Sequence, residues 1–340
     1  MNIKDLTQEQ LSQWFAEHNQ QAFRIKQLHD WLYAKHAISF DEMANLPRAL
    51  RDSLAQDFSC SSLTELQSLV SEDRTTKWLF KLEDGNTIET VLIKAPDRNT
   101  VCISTQVGCQ VHCAFCASGK NGLVRNLTAS EIVDQVIYVS HHVGRLVSNI
   151  VVMGMGEPMH NFQNLTAALD IICSPDGLGL GARHVTVSTS GIPDAIRKLA
   201  DFGKPWNLAI SLHAVNDRIR ATLIPPKFRS PISEILKAAA DYRDMTGRMV
   251  TLEYILIRGV NASPDDAQAL ADIARELHAK VNLIPSNSDN PHFTPPPPDE
   301  CAAFLGALVK RGVQATLRMR KGKDINAACG QLRRRFTQEP

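Results

Sequence analysis

No apolar run in this 340-residue chain reaches the roughly 18–20 residues that a membrane-spanning helix needs. Met1 to Gln20 are polar and charged where a secretory signal would be apolar, so a cytoplasmic protein with no membrane contact is expected. Low-complexity linkers and internal repeats are also missing, and aromatic residues are sparse at 6%. The eight cysteines fall at irregular spacings in a long chain, which excludes a small secreted disulfide framework. A net charge of +1 does not by itself point to nucleic acid. Its distribution does more: from Lys310 to Arg335 nine basic residues face the single acid Asp324. Such asymmetry is the footprint a phosphate backbone requires, and equally that of a solvated basic tail.

With 44% hydrophobic residues the chain can bury a large core, enough for one catalytic domain of more than about 200 residues and a smaller unit. Up to about Phe58 it reads as helical. Phe23, Gln27 and Trp31, with Leu28 and Leu32, recur at helical spacing, and Phe40, Met43, Leu46, Leu50 and Leu54 follow, with Pro47 able to start the later helix. The period then changes. Trp78–Leu82, a turn at Asp84–Asn86 and Thr87–Ile93 read as a hairpin, and Thr100–Thr105 as a strand. From there strands and helices alternate: strands at Asn149–Met153, His184–Ser188, Asn207–Leu212, Met249–Ile257 and Lys280–Ile284, and helices beginning at Thr128 or Ser130, around Leu165, at Pro193, Ser233, Pro264 and Asp299. About six βα units imply an α/β fold with a parallel sheet and outer helices, an incomplete barrel or an open doubly wound sheet. The expected organisation is a helical accessory module over 1–60, a β-hairpin extension over 61–100, a catalytic domain over 101–332 and a basic tail over 333–340.

Chemistry concentrates in Cys109-Gln110-Val111-His112-Cys113-Ala114-Phe115-Cys116. Three soft thiolates can hold three irons of a 4Fe-4S cluster and leave the fourth open; the alternative is a zinc knuckle that borrows His112 or a distant residue as its fourth ligand. Ligand sites of such folds lie at the carboxyl ends of the strands. Those ends read Met153-Gly154-Met155-Gly156-Glu157-Pro158, Ser188-Thr189-Ser190-Gly191, Ser211-Leu212-His213-Ala214 and Asn282-Leu283-Ile284-Pro285-Ser286-Asn287, polar tips on apolar strands. Glycines there permit close backbone approach, and Glu157 can accept from an ammonium group. Cys329 lies between small residues in a basic stretch, where nearby cations favour the thiolate. Cys102 stands just upstream of the triplet, while Cys60, Cys173 and Cys301 read as incidental reduced thiols.

The C-x3-C-x2-C triplet with its aromatic Phe115 resembles the signature of radical S-adenosylmethionine (SAM) enzymes. Together with Cys102, the strand-end motifs and Asp324-Ile325-Asn326-Ala327-Ala328-Cys329-Gly330-Gln331-Leu332, it makes nearly the whole chain resemble the RlmN/Cfr family of radical SAM RNA methyltransferases. Phe23-Arg24, Phe40-Asp41-Glu42-Met43 and Glu89-Thr90-Val91 look like that family too. Pro158 after Glu157 and the full front module look like the branch that methylates adenine C2 in 23S rRNA and in some tRNAs; the other branch methylates C8. Departures are Ser288 where the family usually has Pro, Asn261-Ala262 for a common Asn-Asp pair, and the Pro295–Pro298 run.

The resemblance implies a partial (βα)6 radical SAM barrel holding a 4Fe-4S cluster on Cys109, Cys113 and Cys116. It implies two molecules of SAM per turnover, one as methyl donor to Cys329 and one as source of a 5′-deoxyadenosyl radical. Cys102 would release the transient protein–RNA crosslink by pairing with Cys329, and a thiol reductant would reset the pair. Glu89 occupies the family's proton-acceptor position. SAM contacts carried over are Gly156, Glu157, Ser188, Ser211, Leu212, His213 and Asn287. The implied partners are 23S rRNA, tRNA and an electron donor such as flavodoxin or ferredoxin, and a monomer is expected.

Overall fold

The structure is a computed structural model that describes residues 1–288, 290–318, 321–322, 324–328 and 330–331. Cys329 and the basic tail at 333–340 lie outside the described residues. The front of the chain forms α1 (Gln8–Glu17), α2 (Phe23–His29) and α3 (Arg48–Asp57). Thr7 and Gln10 close a reciprocal capping box on α1. Leu11, Phe15, Leu28, Leu32, Met43, Leu46, Leu50 and Leu54 fill a core separate from that of the sheet. The helical period around α2 is as the sequence reads, and Trp31 is half-buried against the module's core. Phe23 is 51% exposed while Leu28 is fully buried.

This module is fixed to the rest by a buried polar seam. Lys4 Nζ lies 2.9 Å from Asp134 Oδ1, with side chains 0% and 1% exposed. Asn2 Nδ2 donates to Ser62 and to Asp134, each at 2.7 Å, and the Ser62 N–H donates to Asp134 at 2.8 Å.

The strands are β1 (Thr64–Val70), β2 (Thr76–Lys81), β3 (Thr87–Ala95), β4 (Arg98–Cys102), β5 (Gln106–Gly108), β6 (Leu123–Asn126), β7 (Asn149–Val152), β8 (Val185–Thr189), β9 (Asn207–Ser211), β10 (Thr251–Leu256), β11 (Lys280–Pro285) and β12 (Ala315–Leu317). The remaining helices are α4 (Ala129–Val143), α5 (Phe162–Cys173), α6 (Pro193–Asp201), α7 (Asp217–Leu223), α8 (Ile232–Thr246), α9 (Pro264–Glu276) and α10 (Pro298–Lys310). Thr128, rather than Ser130, caps α4. Strands β5 and β6 pair with each other, and the other ten form one sheet in the order β1-β2-β3-β4-β7-β8-β9-β10-β11-β12. From β1 to β4 neighbours are antiparallel, and from β4 to β12 they are parallel. The hairpin thus continues the catalytic sheet, with β4 as the first parallel strand. Each parallel step crosses over through a helix (α4, α5, α6, α8, α9 or α10), giving six βα crossovers. The strands β1, β5, β6 and β12 and the helix α7 are not among the sequence-derived elements. Among the described residues no helix is long and apolar enough to cross a membrane.

Period-two alternation divides the parallel strands into two faces. Leu252, Tyr254 and Leu256 of β10, Val185 and Val187 of β8 and Leu283 of β11 pack into the main core. The intervening Glu253, Ile255, Ser188 and Ile284 line a cleft instead. That cleft gathers residues from β7 to β11 and Arg318 just after β12, so the sheet curls into an incomplete barrel and does not lie open and flat.

Candidate active site

The cleft is concave and lined by apolar side chains with a few convergent polar groups, the make-up of a small-ligand site. One wall is the loop between β5 and β6. Its backbone is pinned on several sides: Cys109 N–H donates to Gly122 O at 3.0 Å, Ala114 N–H to Leu223 O at 2.9 Å, Cys116 N–H to Cys113 O at 3.0 Å and Ala117 N–H to Gly330 O at 2.7 Å. Cys109, Cys113 and Cys116 all line the cleft, with Phe115 between them packed edge-on against His213 at 5.0 Å. Burial pushes the Cys109 thiol up to about 12 and Cys113 well above its ordinary value. His112 does not share the wall: it is exposed, and an added Cβ at Gly122 would meet its ring.

Among the described residues no three His, Cys, Asp or Glu side chains converge tightly enough to hold a single metal ion. A cubane asks for something else. It takes one thiolate on each of three irons, so its ligands stand around a body, and soft sulfur donors suit it. Three thiols on one pinned loop beside an open cleft fit that group, and the placement of His112 disfavours the zinc knuckle.

The opposite walls come from the strand ends. After β7 the chain turns through Gly156 at φ +108° to Glu157, which is 4% exposed. One oxygen of Glu157 accepts from Met159 N–H at 3.1 Å and the other from Ser190 N–H at 2.7 Å. Both keep a lone pair for a ligand. Ser188, Ser211, His213 and Asn287 are on the same cleft wall. His213 is buried at φ +60°, and its Nδ1 accepts from Ile255 N–H at 3.1 Å, leaving Nε2 to carry the proton. Burial and the Arg220 guanidinium hold this imidazole down to about 3, so it is neutral at physiological pH. Leu212 is placed differently. Its side chain sits in the main core, its N–H bonds to Glu253 O and its carbonyl accepts from Arg220.

The structure adds two charged groups to the cleft that sequence reasoning did not single out, Glu253 and Arg318. Glu253 accepts from Asn282 Nδ2 at 2.9 Å, and Thr316 Oγ1 donates to Asn282 Oδ1 at 3.0 Å. Burial raises the Glu253 carboxyl, opposed by Arg318 and Asn282. A carboxylate inside the apolar run Leu252–Leu256 was the available signal. Part of the basic run at 310–335 is therefore cleft wall.

Glu89 and Cys102 stand outside the cleft lining, on β3 and β4. Glu89 is fully buried, its side chain 3.2 Å from Lys77 Nζ. Cys102 is 6% exposed and packs with Val91, Met155 and Ala327. Gly330 lines the cleft. The chain flanking Cys329 thus touches the Cys102 side at Ala327 and the cysteine loop at Gly330.

A curled parallel sheet with a three-thiol loop over the carboxyl ends of its strands defines a radical SAM enzyme. The radical SAM superfamily model matches residues 103–271, and the model of the ribosomal RNA large subunit methyltransferase N-terminal domain matches residues 1–59. Proteins of Akkermansia muciniphila and Clostridium perfringens, each named "Probable dual-specificity RNA methyltransferase RlmN", are 44% identical over 98% of this chain and over 95% and 97% of their own lengths. The crystal structure of a radical SAM methyltransferase from Sphaerobacter thermophilus superposes with TM-score 0.93 at 43% identity, covering 98% of this chain and 99% of that one. The chain belongs to the RlmN family of radical SAM RNA methyltransferases.

Proposed function

We propose that the protein methylates C2 of an adenine in the peptidyl transferase centre of 23S rRNA and of an adenine in the anticodon region of some tRNAs. The observation that carries this reading is the pairing of a three-thiol cleft with a second thiol locus at Cys102, joined by the chain that bears Cys329. Adenine C2 is electron-poor and does not attack a methyl sulfonium, so a plain SN2 transfer from SAM fails there and a radical route is needed. A 4Fe-4S cluster on Cys109, Cys113 and Cys116 with SAM bound beside it supplies that radical.

The chain's own groups do the rest. Glu157 accepts from the amino group of the methionyl end beside Gly156. Ser188, Ser211, His213 and Asn287 hold the remaining polar groups of SAM, with Leu212 contributing position through its backbone. Cys329 receives a methyl group from one SAM and carries the carbon to the base, and Glu89 takes the proton leaving C2. Cys102 then attacks the Cys329 sulfur, so that the S–S bond forms as the S–CH2 bond to the base breaks. The electron pair left on that carbon takes up a proton to complete the methyl group of the freed RNA.

The accessory module at 1–60 supplies RNA contacts. Arg24 lies over the Phe23 ring at 4.8 Å and Lys35 over the Trp31 ring at 3.7 Å, an outward face of aromatic and cationic groups suited to bases and phosphates. The hairpin extension at 61–100, the catalytic domain at 101–332 and the tail at 333–340 complete the organisation. The protein works as a cytoplasmic monomer, with flavodoxin or ferredoxin as electron donor and a cellular thiol reductant.

Nucleoside mass spectrometry of rRNA and tRNA from cells lacking their own enzyme, with and without this chain, tests the reading. New 2-methyladenosine in rRNA and tRNA is expected. 8-Methyladenosine, or none with an intact cluster, would overturn the C2 assignment.

A further inference from the structure

The Cys329-bearing loop is held from a side that the SAM cleft does not explain. Between β1 and β2 the turn Ser71–Thr75 reaches across to it: Ser71 Oγ donates to the Asp324 carboxylate, Glu72 N–H donates to Asp324 Oδ2 at 3.3 Å, Gly322 N–H donates to Asp73 Oδ2 at 3.2 Å, and Lys321 pairs with Asp73 at 3.7 Å. Below this catch, on β2, Lys77 is 5% exposed. Its Nζ lies 3.2 Å from Glu89 Oε1 and donates to the Asn326 carbonyl at 3.4 Å. Asn326 has φ +50°, a conformation that reorients the chain three residues before Cys329. The next residue, Ala327, packs against the cluster of Val91, Cys102 and Met155.

We propose that Lys77 is a positioning residue of the methyl transfer: one ammonium group binds the Glu89 carboxylate and the Asn326 carbonyl together, so the proton acceptor and the methyl-carrying loop share one fixed frame. The inference rests on the reading that Cys329 carries the methyl group and Glu89 accepts the proton. A buried ion pair alone would need only Glu89. The added bond to a backbone carbonyl of the thiol loop, with Asp324 caught by the neighbouring turn, is what a positioning role requires. Lys77 is far from the cluster ligands in sequence and absent from the cleft wall, so cluster assembly and SAM cleavage should not depend on it.

The test compares Lys77→Met, Lys77→Arg and Asp324→Ala in the full-length, cluster-loaded enzyme. It measures 5′-deoxyadenosine released and 2-methyladenosine formed on an rRNA fragment, with iron content and melting temperature as checks on folding. Lys77→Met should release 5′-deoxyadenosine at the parent rate within about twofold while its methyladenosine yield per radical falls by about a hundredfold, the cost of a misplacement of about 1 Å. Lys77→Arg should restore at least a tenth of the parent yield, because the guanidinium keeps donors for both partners. Asp324→Ala should lower the yield in the same direction by releasing the loop from the turn.

A Lys77→Met enzyme that couples as well as the parent, or loses SAM cleavage in proportion, overturns the proposal, as does an Arg variant with parent-like melting that restores nothing. Cys329→Ala and Glu89→Gln run alongside. If either keeps methylating RNA, the underlying reading fails; if both lose methylation while Lys77→Met keeps it, the positioning role alone fails.

Discussion

Gly156 sets the approach of Glu157 to the cleft, and replacing it with alanine tests whether that turn serves SAM. At φ +108° a side chain is strained before any contact is considered, at a cost of about 1–3 kcal/mol. The new Cβ would lie 2.7 Å from both Cβ and Cγ of Gln106 and 2.9 Å from its backbone nitrogen. Gln106 cannot withdraw cheaply, because its Oε1 accepts from Glu157 N–H at 2.9 Å and its Nε2 donates to Asn126 at 2.8 Å. The clash therefore falls on the peptide that aims Glu157. If a strain of about 1–3 kcal/mol passes to the binding equilibrium, SAM affinity falls about 5- to 150-fold, since about 1.4 kcal/mol is tenfold.

Anaerobic calorimetric titration of SAM into cluster-loaded Gly156→Ala measures this directly. Gly247→Ala is the control: it has φ +65°, caps α8 and has nothing within 4 Å of an added Cβ. It should cost stability and leave SAM affinity unchanged. The reasoning is refuted if Gly156→Ala binds SAM within about twofold of the parent at equal iron content, or if Gly247→Ala weakens SAM equally.

The seam between the helical module and α4 should be costly to break: Lys4→Met leaves the Asp134 carboxylate buried with only Asn2 and Ser62 as donors. About 3 kcal/mol is expected from the range for broken buried pairs, or a melting shift of about 6–12 °C; Lys4→Met with Asp134→Asn should recover most of it, and a shift near zero would contradict the assignment. Serine at Cys109, Cys113 or Cys116 should abolish the visible iron–sulfur absorbance and bound iron, while Cys173→Ser keeps both; a Cys113→Ser protein with full iron would dismiss the ligand set. His213 has its folded value depressed to about 3 from 6.5, so the unfolded chain takes a proton that the folded chain refuses. Stability from this group is full above pH 6.5 and is lost as pH falls toward 3, by about 2 kcal/mol at pH 5. His213→Asn keeps an acceptor for Ile255 N–H and tolerates φ +60°. Urea titrations at pH 6.5 and 5 should therefore show a smaller loss in this variant, and an equal loss would reject the depressed value.

Much of this was readable before the structure because local signals and tertiary placement agree. The parallel strands announce themselves as short apolar runs, and their polar tips at Ser188, Ser211 and Asn287 stand where a curled sheet puts them on the cleft. Strand β1 lacked such a signal: as an edge strand it is exposed along nearly its whole length and carries no alternation. Periodicity gives the helix without saying which face is buried. Phe23, Gln27 and Trp31 repeat at helical spacing, yet it is Leu28 and Leu32 that are buried. Glu253, Arg318 and Arg220 illustrate a different limit. Arg220 is fully buried and donates to Leu212 O, Ser230 O and Ser190 O, partners that a sequence does not bring together. The seam from Lys4 to Asp134 spans 130 residues of chain and was invisible for the same reason.

The mixed sheet carries the cleft and the Cys102 locus on one frame. The polar groups of the cleft stand at the ends of β7 to β11, whereas Lys77, Glu89 and Cys102 stand on β2, β3 and β4, and β4 pairs with β3 on one side and β7 on the other. Register fixes the distances: Val151 of β7 lies opposite Cys102, which lies opposite Val91, two residues along β3 from Glu89. A separate, hinged hairpin would let Glu89 and Cys102 drift from the cleft. Hydrogen-bonded in series, the two halves form one continuous sheet, and the chain around Cys329 bridges them, with Ala327 against the Val91, Cys102 and Met155 cluster and the Gly330 carbonyl on the Ala117 amide of the cysteine loop. Under the proposed mechanism a methyl carrier meets SAM, RNA and a resolving thiol in turn and needs fixed points on both sides of its path; continuation of the barrel sheet into the antiparallel strands provides the second side.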